Sequence, residues 1–172
     1  MTRTLFKNII RFVSLVLIQG LILYNVNLFN GLSVPFFYIY FILMLPLRSS
    51  PVLVLVLSFA MGLAIDSFYN TPGIHASASI VIGFMRYFLI RTLAPRDSYD
   101  LLDRPTIYSM GLSWYLRYAI ILAVIHHAWF FILDGIGAFD LWMIIKRTFL
   151  SSIFTFTLLI IAQYLFSKPV RS

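Results

Sequence analysis

Asp66 and His75 are the residues of this chain best placed to do chemistry. They flank a turn inside an otherwise apolar stretch, Gly62-Leu-Ala-Ile-Asp66-Ser-Phe-Tyr-Asn-Thr-Pro-Gly73-Ile-His75. A carboxylate is costly in hydrocarbon, so Asp66 needs a partner or a function. Two uses compete. The carboxylate either accepts from backbone amides of the turn 70–73, or from His75, and fixes a hairpin. Or it is displayed to an external partner, or lines an outward-facing cavity. Ser58, Gly62 and Asp66 recur every four residues, as do His75, Ser79 and Gly83, so each flanking helix carries a stripe of small residues with a polar group at one end.

Other chemistry is tested by elimination. The chain has no Glu and no Cys, which removes thiol catalysis, disulfides and thiolate metal sites. Three of its six Asp residues fall in one loop and two flank another, so no carboxylate pair for acid-base work is evident. Asp134-Gly-Ile-Gly137 inverts the order of an intramembrane aspartyl protease motif and reads as an outer turn. His126 and His127 are adjacent, and on a helix their side chains diverge by about 100°, which does not clamp a metal. They read as histidines of the lipid interface or the bundle interior. No phosphate loop, nucleophile elbow or two-histidine zinc helix occurs, so neither enzymatic activity nor a cofactor is expected. Arg117 lies close enough to a helix start to snorkel. Arg86 is deeper and needs a receiver; Asp66 is about 16 Å away along the helix, so Gln19 or helix-end carbonyls are the expected partners.

The elements that must position these residues follow from composition. Hydrophobic residues make up 61% of the chain and charged residues 11%, with a mean hydropathy of +0.94. That balance belongs to an integral membrane protein, and long apolar runs without period-two alternation make it helical. Six spans are expected in one domain covering 1–172, at about 12–29, 34–47, 51–66, 74–93, 112–133 and 148–166, forming one compact all-α bundle. Arg3, Lys7, Arg11, Arg48, Arg91, Arg96, Arg104, Lys168 and Arg171 fall on one side when both termini are cytoplasmic, leaving Lys146 and Arg147 outside. Those two are expected to cap an interfacial stretch near Leu141–Met143, or else to mark a split sixth helix. The first span reads as a retained signal anchor. The longest connection, about 91–111, is a mixed-charge cytoplasmic loop too short to fold alone. The net charge of +7 suits anionic lipid rather than nucleic acid.

Leu45-Pro46-Leu47-Arg48 after a short second span, then Gly62-x-x-x-Asp66 and a turn to Gly73 before another apolar helix, resembles the MreD family of rod shape-determining membrane proteins. The resemblance implies a non-enzymatic scaffold of the bacterial inner membrane that binds MreC. With MreB, RodA and a penicillin-binding transpeptidase, it would link the cytoskeleton to peptidoglycan synthesis. It implies a fold like the S-components of energy-coupling-factor transporters. Gly62, Asp66 and Gly73 would shape the hairpin, Arg48 would stand at its cytoplasmic start, and His75, Gly83 and Arg86 join them as candidates for the partner interface. The alternative is a substrate-binding membrane subunit of a vitamin transporter, with Asp66, His75, His126 and Trp129 around an outward cavity.

Overall fold

A computed structural model describes residues 2–26, 28–93 and 104–167, with the backbone alone for 2–5. Pro95, Arg96, Asp97, Asp100 and Asp103 of the expected cytoplasmic loop, the tail residues Lys168 and Arg171, and the side chain of Arg3 lie outside the described residues.

Five helices are long and apolar enough to cross a membrane, at Phe6–Asn25, Pro51–Tyr69, Ile74–Thr92, Leu112–Asp134 and Leu141–Phe166. The chain is a multi-pass, all-α membrane protein. Helix α1 (Thr2–Leu17) runs into a π-helical turn at Ile18–Ile22 and a 3-10 turn at Leu23–Asn25. The π turn carries the buried Gln19 and Gly20. Helix α3 (Pro51–Tyr69) opens with Ser50 accepting from the Leu53 amide and Pro51 in the first turn, a regular helix start. It runs one turn beyond the expected end at residue 66. Asn70 then takes a left-handed conformation and Gly73 sits at φ +87, where an L side chain is strained, and α4 (Ile74–Thr92) begins. The one-turn helix α5 (Ile107–Met110) leads into α6 (Leu112–Asp134), which is followed by α7 (Leu141–Phe166).

The second expected span is not a helix of membrane length. Residues 34–47 form an irregular thread with a 3-10 turn at Phe37–Ile39 and one helical turn, α2 (Tyr40–Leu43). Tyr38 through Leu45 are all 5% exposed or less, so the thread is the centre of the bundle. Non-helical backbone survives at membrane depth only where protein satisfies its polar groups. Here it does. The amides of Val34, Phe36 and Tyr38 donate to Ser151 Oγ at 3.0 Å, Thr155 Oγ1 at 2.9 Å and Gln19 Oε1 at 3.3 Å. Alternate amides thus find side chains of α7 and of the π turn that follows α1, which satisfies the segment without a regular helix.

The thread returns the chain along the bundle. Gln19 Nε2 donates to Pro35 O at 2.9 Å and Arg11 Nη1 to Met44 O at 3.2 Å, so thread and α1 run in opposite directions. Along α7 the contacts progress from Ser151 near Val34 to Gln163 near Tyr40 and Met44, about 18 Å of helix. The α3–α4 and α6–α7 turns consequently share one end of the bundle, the turn end. The start of α3 and the finish of α4 mark the opposite end.

Helix α7 also starts earlier than expected, at Leu141, and continues unbroken through Lys146 and Arg147. It is neither preceded by a separate interfacial stretch nor split. Lys146 lies over the Trp142 ring at 5.1 Å, and Arg147 pairs with Asp134 at 2.8 Å and covers the Phe131 ring at 4.3 Å. Those contacts let both cations occupy a helix of lipid-facing length.

Candidate functional site

Three polar layers are stacked through the bundle. At the turn end, Asp66 reaches from α3 across the hairpin to the start of α4. Its Oδ1 accepts from the His75 amide at 2.9 Å and Thr71 Oγ1 at 2.7 Å, and its Oδ2 accepts from the Ala76 amide at 2.9 Å. These amides belong to the first turn of α4, so a carboxylate borrowed from the preceding helix caps it and opposes its dipole. Asp66 is only 6% exposed. The helices can approach this closely because Gly62 faces Ala76: a Cβ there would stand 2.4 Å from the Ala76 Cα and 2.5 Å from the His75 carbonyl oxygen. Gly83 faces Ser58 in the same way, with its notional Cβ 2.6 Å from Ser58 Oγ.

The middle layer gathers three imidazoles around two thread residues. The Tyr38 hydroxyl lies 3.0 Å from His75 Nδ1 and 2.6 Å from His126 Nε2, so it donates to one and accepts from the other. The far nitrogens, His75 Nε2 and His126 Nδ1, are buried without partners. His127 has a fixed tautomer. Its Nδ1 meets Ala123 O at 2.8 Å and must donate, which leaves Nε2 to accept from Thr155 Oγ1 at 3.1 Å. Thr155 in turn receives the Phe36 amide, so a hydrogen-bonded chain runs from the thread through α7 to α6. Phe36 packs edge-on to His75 and His126 and stacks on His127, with centroids 4.9, 5.5 and 5.0 Å away.

Arg86 dominates the third layer, near the finish of α4. Its Nε donates to Tyr118 Oη at 2.9 Å, and Nη2 donates to Leu45 O and, at 3.3 Å, to Pro46 O. Tyr118 passes its own proton to Leu43 O at 3.0 Å. Arg86 and Tyr118 thus tie down the carbonyls where the thread ends. Of the two receivers considered for Arg86, the carbonyls serve and Gln19 does not. Gln19 instead donates to Pro35 O and to Tyr69 Oη at 2.7 Å.

The sequence candidates sort by position. Gly62, Asp66, His75, Gly83 and Arg86 are all buried within the bundle. Gly73 shapes the turn between α3 and α4. Arg48 is exposed in the turn between thread and α3, without a side-chain bond among the described residues. His126 joins His75 through Tyr38, whereas Trp129 is 41% exposed and donates to Ser77 Oγ at 2.9 Å. Arg117 is exposed and bonds back to Ser113 O at 3.2 Å. Sequence reasoning missed Phe36, Tyr38, Tyr118, Thr155 and Gln163. The available signal was the pair Pro35 and Pro46 bounding a short span, with Ser151, Thr155 and Gln163 as polar intrusions into the last one.

Chemically, the layers join elements. Among the described residues no carboxylate bonds an imidazole to orient it as a base, since Asp66 meets His75 at the backbone amide. Among the described residues, no three His, Cys, Asp or Glu converge where a metal could sit.

A different feature faces the membrane. Between α6 and α7 lies an apolar groove of about 540 Å³, lined by Ile120, Val124, Ala128 and Ile132 on α6 and, on α7, by residues that include Thr148 and Ser152. The hydroxyls of Thr148 and Ser152 are buried and have no partner. No family model, no curated protein and no solved structure matches this chain.

Proposed function

We propose that this protein is a non-enzymatic scaffold of the bacterial cell-elongation machinery in the inner membrane. It would bind MreC and, through it, link MreB to RodA and a penicillin-binding transpeptidase. The single observation that carries the reading is the open apolar groove that runs between α6 and α7. The groove surface is apolar, with the Thr148 and Ser152 hydroxyls buried beneath it, so a partner's transmembrane helix would be held there by close packing, a usual means of helix association in membranes. Ala128 on the groove wall leaves room for that backbone to come close.

The orientation belongs to the same reading. Arg11, Arg48, Arg86, Arg91 and Arg104 gather toward the end opposite the turns, which the positive-inside rule assigns to the cytoplasm, so the Asp66 corner is periplasmic. The buried polar layers favour a rigid body over a catalyst. They also weigh against the vitamin-transporter alternative, because Phe36 and Tyr38 fill the space between His75 and His126 that an outward ligand cavity would need.

The test is affinity purification of the tagged protein from its native membrane in mild detergent, with mass spectrometry of what accompanies it. Recovery of MreC, reduced when Ser152 is replaced by Leu while folded protein is retained, is the expected result. Recovery of an ATPase pair and a coupling membrane subunit would overturn the scaffold reading.

A further inference from the structure

We infer that the cleft beside Arg86 is a binding site for a phosphate-bearing anion. The cleft is about 130 Å³, with Ser49, Arg86 and Arg91 set among apolar walls that include Leu47, Val54 and Ile90. That space is ample for one phosphate group.

Three features give it a positive character. Arg86 is 2% exposed, and its hydrogen bonds run to a phenol and two carbonyls, dipoles that satisfy its protons without cancelling its charge. Arg91, one turn and a residue further along α4, lies over the Tyr87 ring at 4.2 Å and puts a second guanidinium on the wall. The first turn of α3 enters at Pro51, so the positive end of a 19-residue helix borders the same space. Among the described residues the ion pair formed is Arg147 with Asp134, at the turn end, and neither Arg86 nor Arg91 has a carboxylate.

Carbonyls and a phenol satisfy the protons of the buried guanidinium, and an anion beside it would balance its charge as well. Arg86 lies about six residues, or roughly 9 Å, from the finish of α4, within reach of headgroups at that end. Planar guanidinium groups match phosphate oxygens in geometry as well as charge. The chemistry is shared by a phospholipid headgroup and by free phosphate. The site stands on the membrane reading alone and does not depend on the proposed partner.

The experiment is native mass spectrometry of the purified full chain in detergent, titrated separately with phosphatidylglycerol, phosphatidylcholine and inorganic phosphate. One anionic lipid or one phosphate retained in preference to phosphatidylcholine is expected. Arg91→Gln should weaken it about tenfold, the equivalent of one charge-assisted hydrogen bond, while Lys146→Gln at the other end leaves it unchanged. Because Arg86 variants are liable to misfold, Ser49→Glu supplies the second arm. A carboxylate placed in the cleft should abolish retention and raise the melting temperature of the lipid-free protein. Competition by inorganic phosphate identifies free phosphate as the ligand; binding of the lipid alone identifies the headgroup. Equal retention of both lipids without phosphate binding, or retention unaffected by Arg91→Gln and Ser49→Glu, would overturn the proposal.

Discussion

The α3–α4 and α6–α7 hairpins turn at the same end of the bundle, yet one is closed and the other unfinished. In α3–α4 the small residues face each other: Gly62 abuts the α4 backbone, Gly83 abuts Ser58, and Asp66 engages two first-turn amides of its neighbour. In α6–α7 small residues also occur, but Ala128, Thr148 and Ser152 line an apolar groove that faces the membrane; both hairpins keep buried hydroxyls without partners, Ser58 and Ser79 in one and Thr148 and Ser152 in the other, so the difference lies in the groove. The same residue types therefore serve cohesion in one hairpin and leave recognition open in the other. What separates them is whether the stripe points at its own partner helix or past it.

That contrast can be broken at its strongest point first. Gly62→Ala places a methyl group 2.4 Å from a backbone atom that cannot move without separating the helices, and is expected to cost about 3 kcal/mol or to abolish folded protein. Detergent-resistant yield and thermal unfolding read it directly. Asp66→Asn keeps one acceptor oxygen and removes the charge that opposes the α4 dipole, so a loss of about 2 kcal/mol is expected. Partner capture per folded molecule should not change; if it falls with stability intact, Asp66 does more than close the hairpin.

Ser152→Ala should act with the opposite sign. Removing an unsatisfied buried hydroxyl is expected to leave the isolated protein equally stable or slightly more so, by up to about 1 kcal/mol. A lowered melting temperature would mean that the hydroxyl is bonded within the chain. The smallest effect is reserved for the ion pair joining α6 to α7. With both side chains about 30% exposed, Asp134→Asn is expected to cost no more than about 1 kcal/mol, diminishing further in high salt.

The closed hairpin was legible in the sequence because its determinants are local. Four-residue spacing sets a helix face, an acid near a turn marks a cap, and Gly73 marks the reversal, so Gly62, Asp66 and Gly73 could be named without a structure. The thread was not legible, for a physical reason. Residues 34–47 are as apolar as a helix, and hydropathy reports what a segment is buried in, not how its amides are satisfied. Its conformation depends on Gln19, Ser151 and Thr155, whose contribution depends on tertiary contact. The extra turns of α7 were hidden similarly: Lys146 and Arg147 break a hydropathy window, but an aromatic ring under each and Asp134 beside Arg147 make them tolerable. Arg86 was recognisable as needing a receiver, but both Tyr118 and the thread carbonyls required three-dimensional placement to be found.

The thread also sets a timetable for synthesis. Val34 and Phe36 donate to hydroxyls 117 and 119 residues further along the chain, which are made only after about seven-eighths of the protein. Until α7 arrives, these amides have no permanent acceptor in a membrane interior that offers none of its own. Insertion must therefore be provisional for the first half of the molecule, with 34–38 held near water or by the insertion machinery, and the last helix acts as the locking pin of the first hairpin. A ribosome-stalled chain ending at Phe139 is accordingly expected to leave residues 34–38 open to labelling by a water-soluble thiol reagent at an introduced Val34→Cys, and a chain completed through α7 to close them.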